Sequence, residues 1–309
     1  MNLHRLDLVS LSLFVLVVRT GSISQGAALS HLAVGAASKR ITDLEAAIGV
    51  DLLERHSRGV KLTAAGHALH EHAKRILGDV DHLAAELSDH AAGIVGVVRL
   101  SANTSAIIQF LPADIAAFAA KNPGIRIELE EQNSADIVLA VLDGRADFGI
   151  FADRTAAHGL DLLNYRGDRL VLVVPDGHAM QRRKSVRFAE VVDEEFVCLP
   201  RTTSLSLRLH EETELLGRRL RVRIHVRSFD AMCQMVANGM GVAVLPEAAI
   251  QPHLKSMPLR RILLTDDWVH RQLLIGVRDA TAVPRQARLL IDHLCASATV
   301  VDPQSATPG

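Results

Sequence analysis

The 309-residue sequence predicts an α/β protein that carries a small helical head at its N-terminal end. Three observations predict it. Up to about residue 92 the apolar residues recur three and four positions apart, the spacing of helix faces, with one interruption around Arg58-Gly59. From residue 97 short apolar runs alternate with helix-length segments, the pattern of a sheet with crossover helices. Gly93 and Gly96 mark a linker between the two regimes.

In the head, Asp7 is placed to cap a first helix whose face is Leu11, Phe14, Val15 and Val18, and Gly21 is placed to end it. Ser22, with Gln25 three residues on, is a capping-box pattern that opens a second helix. Its body, Gly26-Ala27-Ala28-Leu29, is small enough to let another helix come close. The chain breaks near Ser30-His31. A third helix then puts Leu32, Ala36, Ala37, Ile41 and Leu44 on one apolar face, and Ser38, Lys39, Thr42 and, at the edge, Arg40 on the other. A bracing helix followed by one with a polar, basic face is what reading the DNA major groove requires. An alanine-rich hairpin that binds nothing shows the same pattern, and the flanks decide between the two. Residues 54–63 form two short apolar segments around the Arg58-Gly59 turn, a small hairpin tipped with cations that suit phosphates or a minor groove.

Charge agrees with a local patch. The formal net charge is −1, which excludes a global basic field. Through Gly66 there are seven cations against five carboxylates, and five of the seven lie between Lys39 and Lys61. Aromatic residues are scarce, which counts against a stacking surface for single strands. The residues assigned to double-stranded DNA are Ser22, Ala33, Val34, Ala37, Ser38, Lys39, Arg40, Thr42, Arg55, Ser57, Arg58 and Lys61.

Thr63 is placed to cap a long helix running to about residue 91. Leu69, Ala73, Ile76, Val80, Leu83 and Leu87 alternate four and three apart, a heptad seam that fits a second copy of the chain. Packing of the seam against its own domain is the alternative. His67, His70, His72, His82 and His90 lack metal-ligand spacing and are expected at the solvated surface.

After the linker, strands are expected at 97–102, 125–129, 146–151, 170–174, 196–199, 220–226, 242–245 and 273–277, with helices between most of them. Three strand-to-helix elbows carry hydroxyl or amide side chains: Asn103-Thr104-Ser105, Thr202-Thr203-Ser204 and Ser228. In open α/β sheets such junctions face the ligand crevice, and a helix start offers free N–H groups to an anion. Each alone could be a plain cap; their recurrence in two halves favours a cleft. The effector-binding set is Asn103, Thr104, Ser105, Phe151, Arg201, Thr202, Thr203, Ser204 and Ser228. The expected ligand is a small organic anion, a carboxylate, with Arg201 as counter-charge. No catalytic triad, nucleotide loop or metal set is present, so neither an enzyme nor a cofactor is expected; Asp147-Phe148-Gly149 lacks the other kinase motifs. Three cysteines far apart suit a reducing cytosol, and the apolar run 11–18 is too short to span a bilayer. A cytoplasmic protein is expected, with a disordered tail at 299–309.

Residues 1–77 resemble the N-terminal domain of the LysR-type transcriptional regulators. The resemblance rests on Phe14, Gly21-Ser22, Ala27, Ser38, Ile41, Leu44-Glu45, Gly49-Val50, Leu52-Leu53-Glu54-Arg55, Arg58-Gly59-Val60, Leu62-Thr63 and Gly66. The later region resembles that family's inducer domain through Leu111-Pro112, Asn133-Ser134, Asp147-Phe148-Gly149-Ile150 and Asn238-Gly239-Met240-Gly241-Val242-Ala243-Val244-Leu245-Pro246. The likeness implies a winged helix-turn-helix, a dimerising linker helix and a two-lobed domain similar to periplasmic binding proteins, assembled as a dimer or tetramer and answering to a small effector. The sequence departs from the family at the start of the recognition helix, where Ala33-Val34-Gly35 replaces Ser-Gln-Ser or Ser-Gln-Pro. Ala33 and Val34 keep only an apolar contact to thymine methyl groups.

The resulting layout is a DNA-binding domain at 1–63, a linker and dimerisation helix at 64–92, and an effector-binding domain at 93–298. Lobe I is expected at about 93–162 and 267–298, and lobe II at about 163–266. The expected function is a DNA-binding transcriptional regulator modulated by a small molecule. A cytosolic solute-binding protein with a vestigial helical head is the alternative.

Overall fold

The structure, a computed structural model, describes residues 6–56, 59–91 and 96–299. It forms two compact units that divide near residue 93.

The first unit begins with α1 (Leu8–Thr20), α2 (Ile23–Leu29) and α3 (Val34–Ile48). Asp7 caps α1 by accepting from the Ser10 amide at 2.8 Å, and Gly21 ends it in the left-handed region. The buried residues of α1 include Leu11, Leu13, Phe14 and Val17, while Val15 and Val18 are only half-buried. The buried arc differs from the expected one because α2, α3 and α4 (Ala64–Ala91) all pack on this helix. Gly26 is where α2 crosses α1: a Cβ there would lie 2.6 Å from a Val17 methyl and 2.9 Å from its Cα. Ser22 caps α2, and His31, at φ 54°, makes the break before α3. Of the expected apolar face of α3, Ala37, Ile41 and Leu44 are buried, Leu32 is half-buried and Ala36 is exposed.

Strands β1 (Leu53–His56) and β2 (Gly59–Leu62) pair antiparallel, with Glu54 opposite Lys61. Glu45 of α3 fixes where β1 begins, since its Oε1 accepts from the Leu52 and Leu53 amides at 3.0 and 3.1 Å. Gly59 (φ 131°) docks the hairpin on the end of α1: the Val60 amide donates to the Gly21 carbonyl at 2.9 Å, and a Cβ on Gly59 would sit 2.3 Å from that oxygen. Thr63 opens α4 by accepting from the Gly66 amide at 2.9 Å.

The second unit runs β3 (Gly96–Ala102), α5 (Thr104–Gln109), α6 (Leu111–Lys121), β4 (Ile125–Glu131), α7 (Ser134–Leu142) and β5 (Phe148–Ala152). Then come β6 (Asp161–Pro175), β7 (Ser185–Val186), β8 (Glu195–Cys198), α8 (Ser204–Leu215), β9 (Arg221–His225), α9 (Phe229–Ala237) and β10 (Ala243–Pro246). It closes with α10 (Glu247–Ser256), β11 (Leu259–Leu264), β12 (His270–Val277) and α11 (Arg285–Thr299). The strand order is β4-β3-β5-β12-β6-β11-β7, with β10 also on β6 and a separate parallel pair β8-β9.

One strand joins two lobes. Residues 161–169 of β6 pair with β12, and residues 170–175 pair with β10 and β11. The crossing therefore lies at Arg169-Leu170, later than the expected 162/163, and the returning strand β12 begins at His270. Each lobe has its own core. In lobe I it includes Val98, Leu100, Phe118, Phe148, Ile275 and Leu290. In lobe II it includes Leu172, Phe188, Phe196, Phe229 and Ile262. The expected tail at 299–309 lies outside the described residues, apart from Thr299 at the end of α11.

Candidate functional site: recognition helix, wing and interlobe cavity

The N-terminal end of α3 is open. Ala33, Val34, Gly35, Ala36, Lys39 and Thr42 are exposed, and Ser38 is partly so. Ala33 precedes the helix in an extended conformation with no side-chain cap, so the first amides of α3 stay free to donate. Ala37 does not belong to this surface. It is fully buried against the head core, because a residue four before Ile41 falls on the same helix face; Ala36 takes its place outside.

Two of the assigned arginines have internal partners. Arg40 donates from Nη1 to both Asp7 carboxylate oxygens and to Ser10 Oγ, all at 3.1 Å, which clamps α3 to the start of α1. Arg55 reaches from the wing to Thr42 Oγ1 at 3.0 Å and Ser38 Oγ at 3.5 Å, with Glu45 at 3.5 Å. It therefore sets the hydroxyl groups of α3 while its own side chain stays 46% exposed. Lys61 is exposed on β2, and Ser22 caps α2 with its hydroxyl 2.9 Å from that of Ser24. Ser57 and Arg58 lie outside the described residues.

The seam on α4 divides. Ala73 is fully buried and Leu69 packs on the head core, so these two face their own domain rather than a partner. Ile76, Val80 and Leu83 are 38%, 36% and 55% exposed, a partly exposed apolar stripe along α4. The side chain of Leu87 lies outside the described residues.

A small and a large cavity lie between the lobes. The small one, of about 20 Å³, is where the two expected elbows meet: Asn103, Thr104 and Ser105 face Thr203 and Ser204 across it. That space suits one water molecule, not an effector. The elbow side chains are largely satisfied internally. Asn103 caps α5 and reaches Ser134, Thr104 donates to Glu131 Oε1 at 2.6 Å, and Thr203 caps α8. The large cavity, of about 900 Å³, shares Ser134 and Ser204 with it and also takes in Thr202.

Three assigned residues do not line either cavity. Phe151 is fully buried beside Ile137 and Val138, because on β5 the alternate side chains point to opposite faces. Arg201 sits at the exposed corner of the turn closed by the Thr203 amide on the Pro200 carbonyl. Ser228 caps α9 through the Ala231 amide at 3.1 Å.

The residues that give the large cavity its character were not singled out from the sequence. Arg208 and Glu212 of α8 form an ion pair at 2.8 Å, and the Arg208 guanidinium lies 5.6 Å from the Trp268 ring centre. Burial raises the Glu212 carboxyl above the usual range; Arg154 lowers it, and Asp266 and Glu211 raise it further. Arg271 of β12 lines the cavity and pairs with Asp168, directly opposite on β6, through Nε to Oδ1 at 2.8 Å. Its Nη2 also reaches Ser105 at 3.4 Å, and Gln109 donates to the same aspartate at 3.0 Å. The available signal was the Arg208-x-x-Glu211-Glu212 spacing in the helix opened by Thr203, together with the single tryptophan of the chain.

Among the described residues there is no group of three or more side chains placed to hold a metal ion. No helix among them is long and apolar enough to cross a membrane.

Two family models match. Residues 8–67 match the bacterial regulatory helix-turn-helix protein of the lysR family, and residues 91–298 match the LysR substrate binding domain. The HTH-type transcriptional regulator YbhD of Escherichia coli K12 is 26% identical over 283 residues, covering 91% of this chain and 89% of that protein. BenM of Acinetobacter baylyi, also an HTH-type transcriptional regulator, is 27% identical and covers 89% of this chain and 90% of its own length. Full-length CbnR, a LysR family regulator solved in complex with its target DNA, superposes with a TM-score of 0.63 at 22% identity, over 94% of this chain and all of that one. The solute-binding alternative gives way on these matches. The chain belongs to the LysR family and is a DNA-binding transcriptional regulator with an effector-binding domain.

Proposed function

We propose that this regulator works as a cytoplasmic homodimer or homotetramer that grips double-stranded DNA with the exposed start of α3 and the wing, and answers to a small organic anion, a carboxylate, held in the large interlobe cavity. The observation that carries the effector reading is the cavity itself. About 900 Å³ lies between lobes joined at the β6 crossing, and its lining includes hydroxyl, guanidinium and carboxylate side chains. A ligand that touches both walls favours one arrangement of the lobes over others, which is what a regulatory signal requires. The elbow hydroxyls contribute through Thr202 and Ser204, with Thr104 already engaged by Glu131. In the head, Lys39 and Lys61 supply phosphate contacts, and Ser38 and Thr42, held by Arg55, supply base contacts.

Isothermal calorimetry of the full chain with small organic acids tests the effector reading. Thr202→Val and Ser204→Ala each remove one hydroxyl and are expected to weaken the acid by about fivefold to tenfold, in line with a net hydrogen bond. DNA affinity without effector stays at the parent value. An acid that binds both variants as tightly as the parent places its site elsewhere.

Assembly is tested by sedimentation. Ile76→Asp with Leu83→Asp puts charges into the exposed stripe and is expected to yield monomers that lose most operator affinity, because paired half-sites need paired heads. A parent protein that sediments as a monomer removes this part of the proposal.

A further inference from the structure

The charges on the large cavity are unequal on its two walls. The lobe II wall presents Glu211, Glu212, Asp266 and Asp267 against only Arg187 and Arg208. The lobe I wall presents Arg154 and Arg271 against Asp153, and Arg271 is already bonded to Asp168. A simple anion would enter beside a surplus of carboxylates. A simple cation would leave the guanidinium groups unused.

Two details point to a ligand with both signs. Arg208 is 8% exposed and lines the cavity, yet its Nη1 finds no hydrogen-bond partner among the described residues. Glu211 Oε2 stands off from it at 3.9 Å, beyond hydrogen-bond reach. A buried guanidinium N–H left unbonded is costly, and a carboxylate or phosphate entering the cavity supplies the missing acceptor once the side chains that close over Nη1 move aside. The carboxylates of Glu211 and Asp267, in turn, accept no hydrogen bond among the described residues, so they are available to an ammonium. Arg154 of lobe I is within electrostatic reach of Glu212 in lobe II. It can therefore join Arg208 in holding the anionic end.

We propose that the effector is a zwitterion, an amino acid or a close derivative, with its anionic group on Arg208 Nη1 and Arg154 and its ammonium group on Glu211 and Asp267. The proposal rests on the interlobe cavity being the effector site. It adds the second charge to the ligand and brings the lobes together through Arg154 on one side and α8 on the other.

The test uses the full-length protein and its one tryptophan, Trp268, which stands beside Arg208 and reports on arrivals there. Natural α-amino acids, their deaminated carboxylic acids and their decarboxylated amines are titrated side by side, with thermal shift as a second readout. At least one amino acid is expected to bind, and its two single-charge relatives are expected to bind at least tenfold more weakly. Glu211→Gln is expected to narrow the gap between the amino acid and its deaminated acid, because it removes a partner of the ammonium group and one of the carboxylates that an anion must enter beside. A deaminated acid that binds the parent as tightly as its amino acid overturns the zwitterion and leaves the cleft reading standing. The absence of a response to every amino acid also overturns the zwitterion. Ala135→Phe, which fills part of the cavity wall, separates the two readings: undiminished amino-acid binding to that variant overturns the cleft as the site.

Discussion

Two arginine–aspartate pairs brace the two units, and they differ most in burial. In the head, the side chains of Arg40 and Asp7 are 38% and 49% exposed. In the body, those of Arg271 and Asp168 are 7% and 2% exposed. The first pair remains largely in water, where such a contact is worth about 0–1 kcal/mol. The second pair has given up its hydration, so each charge depends on the other and on Ser105 and Gln109. The head accordingly relies on small residues, caps and apolar packing to fix its shape, and its cations remain at the surface for DNA. The body uses a buried ionic network to fix the strand crossing beside its cavity. Breaking that network is a structural event; breaking the head pair is an adjustment.

The largest effect expected from this contrast is Asp168→Ala. It strands a buried guanidinium and is expected to lower the stability of the body by about 3–5 kcal/mol. Urea unfolding followed by Trp268 fluorescence reads the body transition. Asp168→Leu combined with Arg271→Met removes both charges and is expected to recover most of the loss. Destabilisation by Asp168→Ala no greater than that of a head-pair mutation would erase the distinction.

Gly59→Ala comes next. The backbone there has φ 131°, and the new methyl would sit 2.3 Å from the Gly21 carbonyl. The strain is expected to cost about 1–3 kcal/mol, relieved by the wing lifting off the end of α1. Gel-shift titration is expected to show weaker DNA binding, while effector binding in the body is unchanged. Parent-like DNA affinity would mean that the docked wing is not needed for binding.

The head was the more legible unit because its signals are local. Asp7, Gly21, Ser22 and Thr63 act within a few residues of their own position, and each caps or ends a helix in the structure as its sequence context indicates. Ala37 is assigned by the sequence both to the apolar face of α3 and to the DNA contacts; the structure keeps the first and removes the second, since it lies one turn before Ile41 in the head core. The seam was read as one surface, although the first turns of α4 fold back on their own domain at Leu69 and Ala73. In the body, helix α10 was not foreseen, with Pro252 inside it, nor were β11 and the first half of β6. Residues 161–169 owe their strand conformation to β12, a partner about a hundred positions away, which no local pattern records. The cavity was partly legible for the same reason. The elbows that cap helices were visible, whereas Arg154, Arg208, Trp268 and Arg271 come together only through the sheet.

The smallest effect expected is at the head pair itself. Asp7 accepts from the Ser10 amide and hydroxyl at 2.8 Å and from Arg40. Burial pushes its carboxyl up, but the Ser10 bonds and the Arg40 charge outweigh that and hold it below the usual carboxylate range. Asp7→Asn keeps one oxygen to accept from the Ser10 amide and replaces the charge and the second acceptor with an NH2 donor, and at this exposed site the loss at neutral pH is expected to stay near or below about 1 kcal/mol. The sign of its pH dependence follows from the lowered value. A depressed carboxyl contributes stability above its unfolded value, near 3.9, and loses that contribution as pH falls through the folded value. The difference between parent and Asp7→Asn is therefore expected to be present at pH 7 and to vanish in acid, and added salt is expected to shrink it. Thermal unfolding of the head across this range measures it. A difference that persists unchanged at low pH would show that the Asn side chain fails as a cap, and that the Arg40 charge contributes nothing.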